Sequence, residues 1–307
     1  MAITFTALCL FSDHVEAWHD EGHYYAAIAG TIYLPDEVPA FFKQGYKTIG
    51  HTSIDPDLIK HRKLSQLNNT EWAEHFFDSE IIGNRKLPTT RYEFYKLCEE
   101  LGIEPRVAGT LPYAVTEWTQ RLTMAFAEHR AYPDNIHIQA KCLIYAGILA
   151  HYTADLNMPL HTTIDYDGIN NKDGKPKLHK GIHAKIDSLP SKLPYNIIFE
   201  EPLQPLAAHT DIFTFTQKQF ASSYNKIKQA YALAEQYPAT RDLTLQDAEV
   251  IAFTKDRTRA AAWFTGSIYL SAWKNSAGID LPSWLDRDVF DESFNPNTVP
   301  DIEKAKQ

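Results

Sequence analysis

Two imidazoles and a carboxylate fall close together in the run His151-Tyr-Thr-Ala-Asp155-Leu-Asn-Met-Pro159-Leu-His161. Residues at i and i+4 project from one face of a helix, so His151 and Asp155 point the same way. Leu143, Ile144, Gly147 and Ile148 precede them as an apolar stripe, which predicts that the pair faces the interior. Pro159 is expected to end that helix and to leave His161 on the turn beyond it. Imidazole nitrogens and a carboxylate converging at a buried helix end suit a divalent transition metal, zinc above all. The competing reading is a surface salt link or a hydrogen-bonded core histidine. What separates the two is whether the chain supplies further ligands.

Further candidates exist on both sides of this run. His23 follows Trp18-His-Asp-Glu-Gly near the start of an alanine-rich stretch. Asp57 and Lys60 lie in Ile54-Asp55-Pro-Asp57-Leu-Ile-Lys60, where Asp55 competes with Asp57, and either could be a helix N-cap. His75 opens His75-Phe76-Phe77-Asp78. Gly181-Ile-His183-Ala-Lys-Ile-Asp187 repeats the i, i+4 pairing, with His179 an alternative partner for His183. His51, His61 and His129 read as solvated. The segment Asp165 to Asp173 is polar and turn-rich, but its acidic spacing does not match a calcium loop.

The elements that must position these residues read as helices. A helix is expected at His23 to Gly30, and a short second one through Phe41-Phe42-Lys43. Residues 45 to 80 read as loop-rich. Arg91 to Leu101 is a helix stopped by Gly102, and Val115 to His129 is another. A long helix after Pro133-Asp134 carries His151 and Asp155, while Ala207 to Gln236 and Leu243 to Lys274 read as two more. In the last, Ala261, Phe264 and Ile268 share a face. No strand pattern, repeat or linker is visible, so the expectation is an all-α, single multi-helix domain.

The chain has 307 residues, 44% of them hydrophobic, which is ample for one large core. A formal net charge of −9 argues against a generally basic nucleic-acid surface, though not against a phosphate held by metal ions. Residues 1–17 read as a signal peptide, with an apolar run ending at Phe11 and the small-x-small triplet Val15-Glu-Ala17, although a basic start is missing. The expected organisation is therefore a leader at 1–17, a domain at 18–280 and a Pro- and Asp-rich tail at 281–307. This places the protein outside the cytoplasm, secreted or periplasmic. No later run is long enough to span a membrane, and nothing points to a stable protein partner. Cys98 and Cys142 would then remain as one disulfide or two buried thiols.

Taken in order, Trp18-x4-His23, His75-Phe-x-Asp78, His151-x3-Asp155-x5-His161 and His183-x3-Asp187 resemble the S1/P1 nuclease and zinc-dependent phospholipase C superfamily. The resemblance runs from Trp18 to about Asp187. It implies the all-α fold of that superfamily and a site for three zinc ions. Asp57, His75, His151 and Asp155 would hold the first ion. His161, His183 and Asp187 would hold the second. The amine and carbonyl of Trp18, with His23 and a bridging Asp155, would hold the third.

By the same resemblance, Asp57 would orient the nucleophile or accept its proton, and Lys60 would stand where the nucleases place a phosphate-binding Arg. Phe76 would stack on a base, Asp78 would bond the base edge, and Asn170 would contact substrate. The implied activity is hydrolysis of single-stranded DNA or RNA, or of a nucleotide, to 5′-phosphate products through water activated by metal ions. The alternative is a phospholipase C acting on phospholipid headgroup esters. The short Trp18-x4-His23 spacing, the Asp187 ending in place of Glu, and the long insert after His161 favour the nuclease branch. The chain departs from the nucleases in lacking their several disulfides, in having Lys60 for Arg, and in reading Asp167-Gly-Ile-Asn170 where they have Gly-Gly-Asn.

Overall fold

The chain is helical from one end of its described part to the other. The computed structural model describes residues 18, 20–170, 177–193 and 199–287. The expected leader at 1–17 and residues 288–307 of the expected tail lie outside these. The first helices are α1 (Asp20–Ile32), α2 (Ala40–Gln44), α3 (Tyr46–Thr52), α4 (Asp55–Ile59) and α5 (Ser65–Glu71). Then come α6 (Arg91–Leu101), α7 (Pro105–Ala108), α8 (Leu111–Ala131) and α9 (Ile136–Asp155). The remainder are α10 (Ile182–Asp187), α11 (Ile212–Tyr224), α12 (Ile227–Ala232) and α13 (Ala248–Asn275). Among the described residues the β-type pairing amounts to two isolated bridges, Phe77 with Gly109 and Ile169 with Leu178.

Local chemistry explains the clean boundaries. Thr90 and Glu93 form a capping box at the start of α6, and Gly102 stops it in the left-handed region at φ 67°. The Asn135 side chain accepts from the His137 and Ile138 amides at 3.0 and 3.1 Å, starting α9. Thr244, capped by Asp247, leads into α13.

Packing decides the rest. α9 lies against α8, α3, α1 and α13, and α1 lies against α13 and α3. The α1–α13 crossing is tight enough that a Cβ on Gly30 would come within 2.9 Å of the Ala262 carbonyl oxygen. Ala261, Phe264 and Ile268 are fully buried on α13, as their shared face implies. The buried surface of α9 is broader than the expected stripe. Its buried apolar residues include Ile138, Cys142, Ala146, Leu149, Ala150, Tyr152 and Ala154, whereas Ile144 is 42% exposed.

Several expectations are corrected. Residues 45 to 80 are not loop-rich: α3, α4, α5 and 3₁₀ turns at Trp72–His75 and Ser79–Ile82 occupy them. These helices are too short to show a period; α3 holds through α1 and α9, α4 through α9 and α5, and α5 through α4 and the Trp72–His75 turn. The helix expected from Ala207 to Gln236 is interrupted, because α11 ends at Tyr224 and α12 begins at Ile227. Pro159 does not end α9, which stops at Asp155; it opens a 3₁₀ turn, Pro159–Thr162, that carries His161. His129 is buried rather than solvated, packed on Phe41 at 4.5 Å between ring centroids. Cys98 and Cys142 are free and buried. No described helix is long and apolar enough to cross a membrane.

Gly147 lets α3 approach α9: a Cβ there would collide with Thr52 Oγ1 and stand 2.7 Å from the Ile49 carbonyl oxygen. Gly147→Ala is expected to destabilise the fold by roughly 1–3 kcal/mol, as overpacking of a filled core does. Chemical denaturation checks this; an unchanged midpoint would mean that α3 shifts freely.

Candidate metal centre

Asp155, the last residue of α9, is fully buried, and four histidines surround its carboxylate. Oδ2 lies 3.1 Å from His75 Nδ1 and 3.3 Å from His151 Nε2. Oδ1 lies 3.4 Å from His161 Nδ1 and 3.5 Å from His23 Nε2. Asp57 on α4 approaches from one side, its Oδ1 at 3.7 Å from both His75 Nδ1 and His151 Nε2. On the other side, α10 brings His183 Nε2 to 3.2 Å from its own Asp187, and His161 Nε2 lies 3.9 Å from Asp187. The His23 and His151 rings stack at 3.8 Å between centroids.

Hydrogen bonds outside the cluster aim these rings. His151 Nδ1 donates to the Ser53 carbonyl at 2.8 Å, which leaves Nε2 as the lone-pair nitrogen facing Asp155. His161 Nδ1 donates to the His75 carbonyl at 2.8 Å, which turns its Nε2 toward Asp187. His75 Nε2 lies 3.6 Å from Glu71 Oε1, and Tyr152 donates its hydroxyl to the same Glu71 oxygen. Asp167 accepts from the Gly181 and His183 amides at 2.7 and 3.3 Å, anchoring the start of α10.

The residues fit bound cations. Both nitrogens of His23, Asp57 Oδ1, Asp155 Oδ1, the Nε2 atoms of His161 and His183, and both oxygens of Asp187 are buried without a hydrogen-bond partner. Orphans of this kind are costly and rare in folded proteins. They collect into three groups that could each hold a metal ion: His23, His151 and Asp155; Asp57, His75 and His151; and His161, His183 and Asp187. Burial, reinforced by the nearby His151, pulls the His23 imidazole down to about 3 and keeps it a neutral base. Burial and the adjacent His161 hold His183 well below its ordinary value. Burial and the neighbouring Asp155 push the Asp187 carboxyl well up. Burial also opposes the charge of Asp155, but His151 and His161 overcome it and hold its carboxyl well below the ordinary range.

His75, His161 and His183 reach the wall of a cavity of about 300 Å³. Lys60, Trp72, Phe76, Asp78, Arg106, Val107, Leu160 and Tyr166 line the rest. Lys60 is ion-paired with Asp57, and its Nζ lies 6.0 Å from the Trp72 ring centroid. Asp78 is buried, and its carboxyl is pushed up to about 7 by burial, then by Glu80 and Asp165.

Of the residues expected at the site, the structure draws together His23, Asp57, His75, His151, Asp155, His161, His183 and Asp187, with Lys60, Phe76 and Asp78 on the cavity wall. Asp57, not Asp55, belongs to a ligand group. Trp18 is buried, its ring 6.5 Å from that of His23. Asn170 is exposed beside the Ile169–Leu178 bridge and does not line the cavity. His179 turns away to Glu235 at 2.9 Å, so His183 pairs with Asp187. Sequence reasoning missed Glu71, Tyr152, Asp167, Trp72, Arg106 and Tyr166. Glu71 carried a readable signal, four residues before His75; the others did not.

No protein-family profile matches the chain, and neither does any curated protein. Among solved structures it is similar to the alpha-toxin of Clostridium perfringens from avian strain SWCP, at 14% identity and a TM-score of 0.47, over 87% of this chain and 65% of that one. It is also similar to the alpha toxin of Clostridium absonum, at 11% identity and a TM-score of 0.43, over 88% of this chain and 67% of that one. The chain thus spans about two thirds of the length of these toxins.

Glu71→Ala is expected to lower metal affinity by about 10–100-fold, as loss of a carboxylate behind a ligating imidazole does. Competition with a chromophoric chelator measures it, and an unchanged affinity would exclude Glu71 as the partner that orients His75.

Proposed function

We propose that the chain is a zinc-dependent phosphodiester hydrolase that cleaves single-stranded DNA or RNA to 5′-phosphate products. The observation that carries this reading is the convergence of unpartnered buried His and Asp atoms on Asp155, beside a cavity with Lys60 and aromatic rings on its wall. Asp57, His75, His151 and Asp155 would hold one ion, and His161, His183 and Asp187 a second. The third would take His23, Asp155 and the amine and carbonyl of Trp18 in a chain that begins at Trp18 outside the cytoplasm. Bound there, such ions lower the pKa of water and neutralise charge on a phosphate.

The side chains supply the remainder. Asp57 is the least buried carboxylate of the cluster, which suits it to orient an attacking water and accept its proton. Lys60, beside Asp57, brings a point charge to the phosphate without the two-pronged grip of Arg. Phe76 offers a face on which a base can stack, and Asp78 stands two residues away to accept from the base edge. A phospholipase C reading draws support from one feature: Val107, 57% exposed, and the exposed Tyr166 give the cavity an apolar rim.

Protein beginning at Trp18 is expected to carry three zinc ions by elemental analysis and to release nucleotides from single-stranded DNA and RNA. Fewer than two ions would sink the reading, and release of phosphocholine from phosphatidylcholine without nucleotide products would transfer it to the phospholipase. A residue added before Trp18 should remove one ion, since an amide nitrogen is a poor ligand.

Asp78 gives a pH signature. Its carboxyl is neutral below about 7 and charged above. The charged form is the better acceptor, so KM for single-stranded DNA should fall as pH rises through that value, and Asp78→Asn should flatten the profile. A profile unchanged in the variant would remove Asp78 from substrate binding.

A further inference from the structure

We propose that the turn joining α4 to α5 is a track for the anionic backbone of a single-stranded nucleic acid, extending beyond the nucleotide held in the cavity. This rests on the nuclease reading. Lys60 lies at the cavity, largely buried, and the three residues after it, His61, Arg62 and Lys63, are exposed. From Leu58 to Thr70 there is no acidic residue. Arg106 on α7 is exposed, lines the same cavity as Lys60, and is tied to the turn through Asn68. Its Nη2 donates to Asn68 Oδ1 at 3.4 Å, while Asn68 donates to the Lys60 carbonyl. Lys60 and Arg106 at the cavity, with Arg62 and Lys63 on the turn leading from it, thus place cationic side chains both in the cavity and beyond it.

This concentration stands out because the chain as a whole is acidic, with a formal net charge of −9. A solvated charged turn needs no such continuity with a phosphate-sized cavity. A polyanion does, because each neutralised phosphate releases bound counterions and adds affinity. On the side of Tyr166, Lys177 Nζ lies 5.5 Å from its ring centroid, with Asp165 and Asp167 close by in sequence, whereas the turn after α4 carries no acidic residue. A lipid surface would use the exposed Leu58, Leu64 and Leu67 of the same segment. However, the exposed residues of this segment include no Trp or Tyr of the kind that anchors a protein at a lipid interface, and the nearest, Trp72, lines the cavity.

The experiment compares the protein beginning at Trp18 with its Arg62→Ala/Lys63→Ala double variant, zinc-loaded, on three substrates. These are bis(4-nitrophenyl) phosphate, a single-stranded oligonucleotide, and phosphatidylcholine vesicles containing phosphatidylglycerol. The variant should hydrolyse the small diester at the unaltered rate, which also shows that it folds. Its KM for the oligonucleotide at low salt should rise roughly ten-fold. The dependence of log KM on log salt should flatten by about 1.4, at ~0.7 per lost phosphate contact on a single strand. An unchanged KM and salt dependence on an oligonucleotide that both proteins cleave would overturn the track. Loss confined to the vesicles would overturn it in favour of a lipid surface. Wild-type protein that cleaves the small diester but no oligonucleotide would overturn the nuclease reading beneath it.

Discussion

A carboxylate buried at the end of a helix, with four imidazoles around it, is the constraint on which this structure depends. Asp155 has both oxygens within 3.5 Å of histidine nitrogens contributed by α1, α9 and two 3₁₀ turns. A charge in such a place is strongly unfavourable unless it is compensated, and the surrounding atoms are arranged for compensation by cations. The packing of α1, α3 and α9 serves that arrangement. Their close approach stacks His23 on His151 and sets the Ser53 carbonyl against the His151 ring.

The site is assembled from rigid and less regular parts with different duties. α1 and α9 are long, well packed elements, and they carry the innermost ligands, His23, His151 and Asp155. His75 and His161 sit on 3₁₀ turns, and the two turns are joined by the His161 ring bonding the His75 carbonyl and by the Phe77 amide bonding the His161 carbonyl at 2.9 Å. That coupling means neither turn can shift without moving the other. Preorganisation of His151 and His161 comes from hydrogen bonds to main-chain carbonyls, which hold each of these two imidazoles in one tautomer.

Outside the cluster, the cavity wall combines charge with aromatic surface. Lys60 and Arg106 face Trp72, Phe76 and Tyr166 across about 300 Å³. Cations beside flat apolar faces suit a ligand with a phosphate at one end and a planar or apolar group at the other. The wall alone is compatible with either a nucleotide or a lipid headgroup.

Spacing along the chain was enough to identify most of the cluster. His151, Asp155 and His161, then His183 and Asp187, stand at intervals that helices and tight turns convert directly into shared faces, and helix periodicity with capping residues located α1, α6, α9 and α13. The all-α class follows from the same periodicity. Which ligands meet was not legible from spacing, because that depends on contacts between segments as far apart as Asp57, His75 and His151; the resemblance alone implied that grouping. The short helices at 45 to 80, the burial of His129, the exposure of Asn170, and the Glu71–Tyr152 pair behind His75 were likewise decided by packing. Local propensity is weak in helices of five to seven residues, so tertiary contacts determine whether they form and where their side chains point.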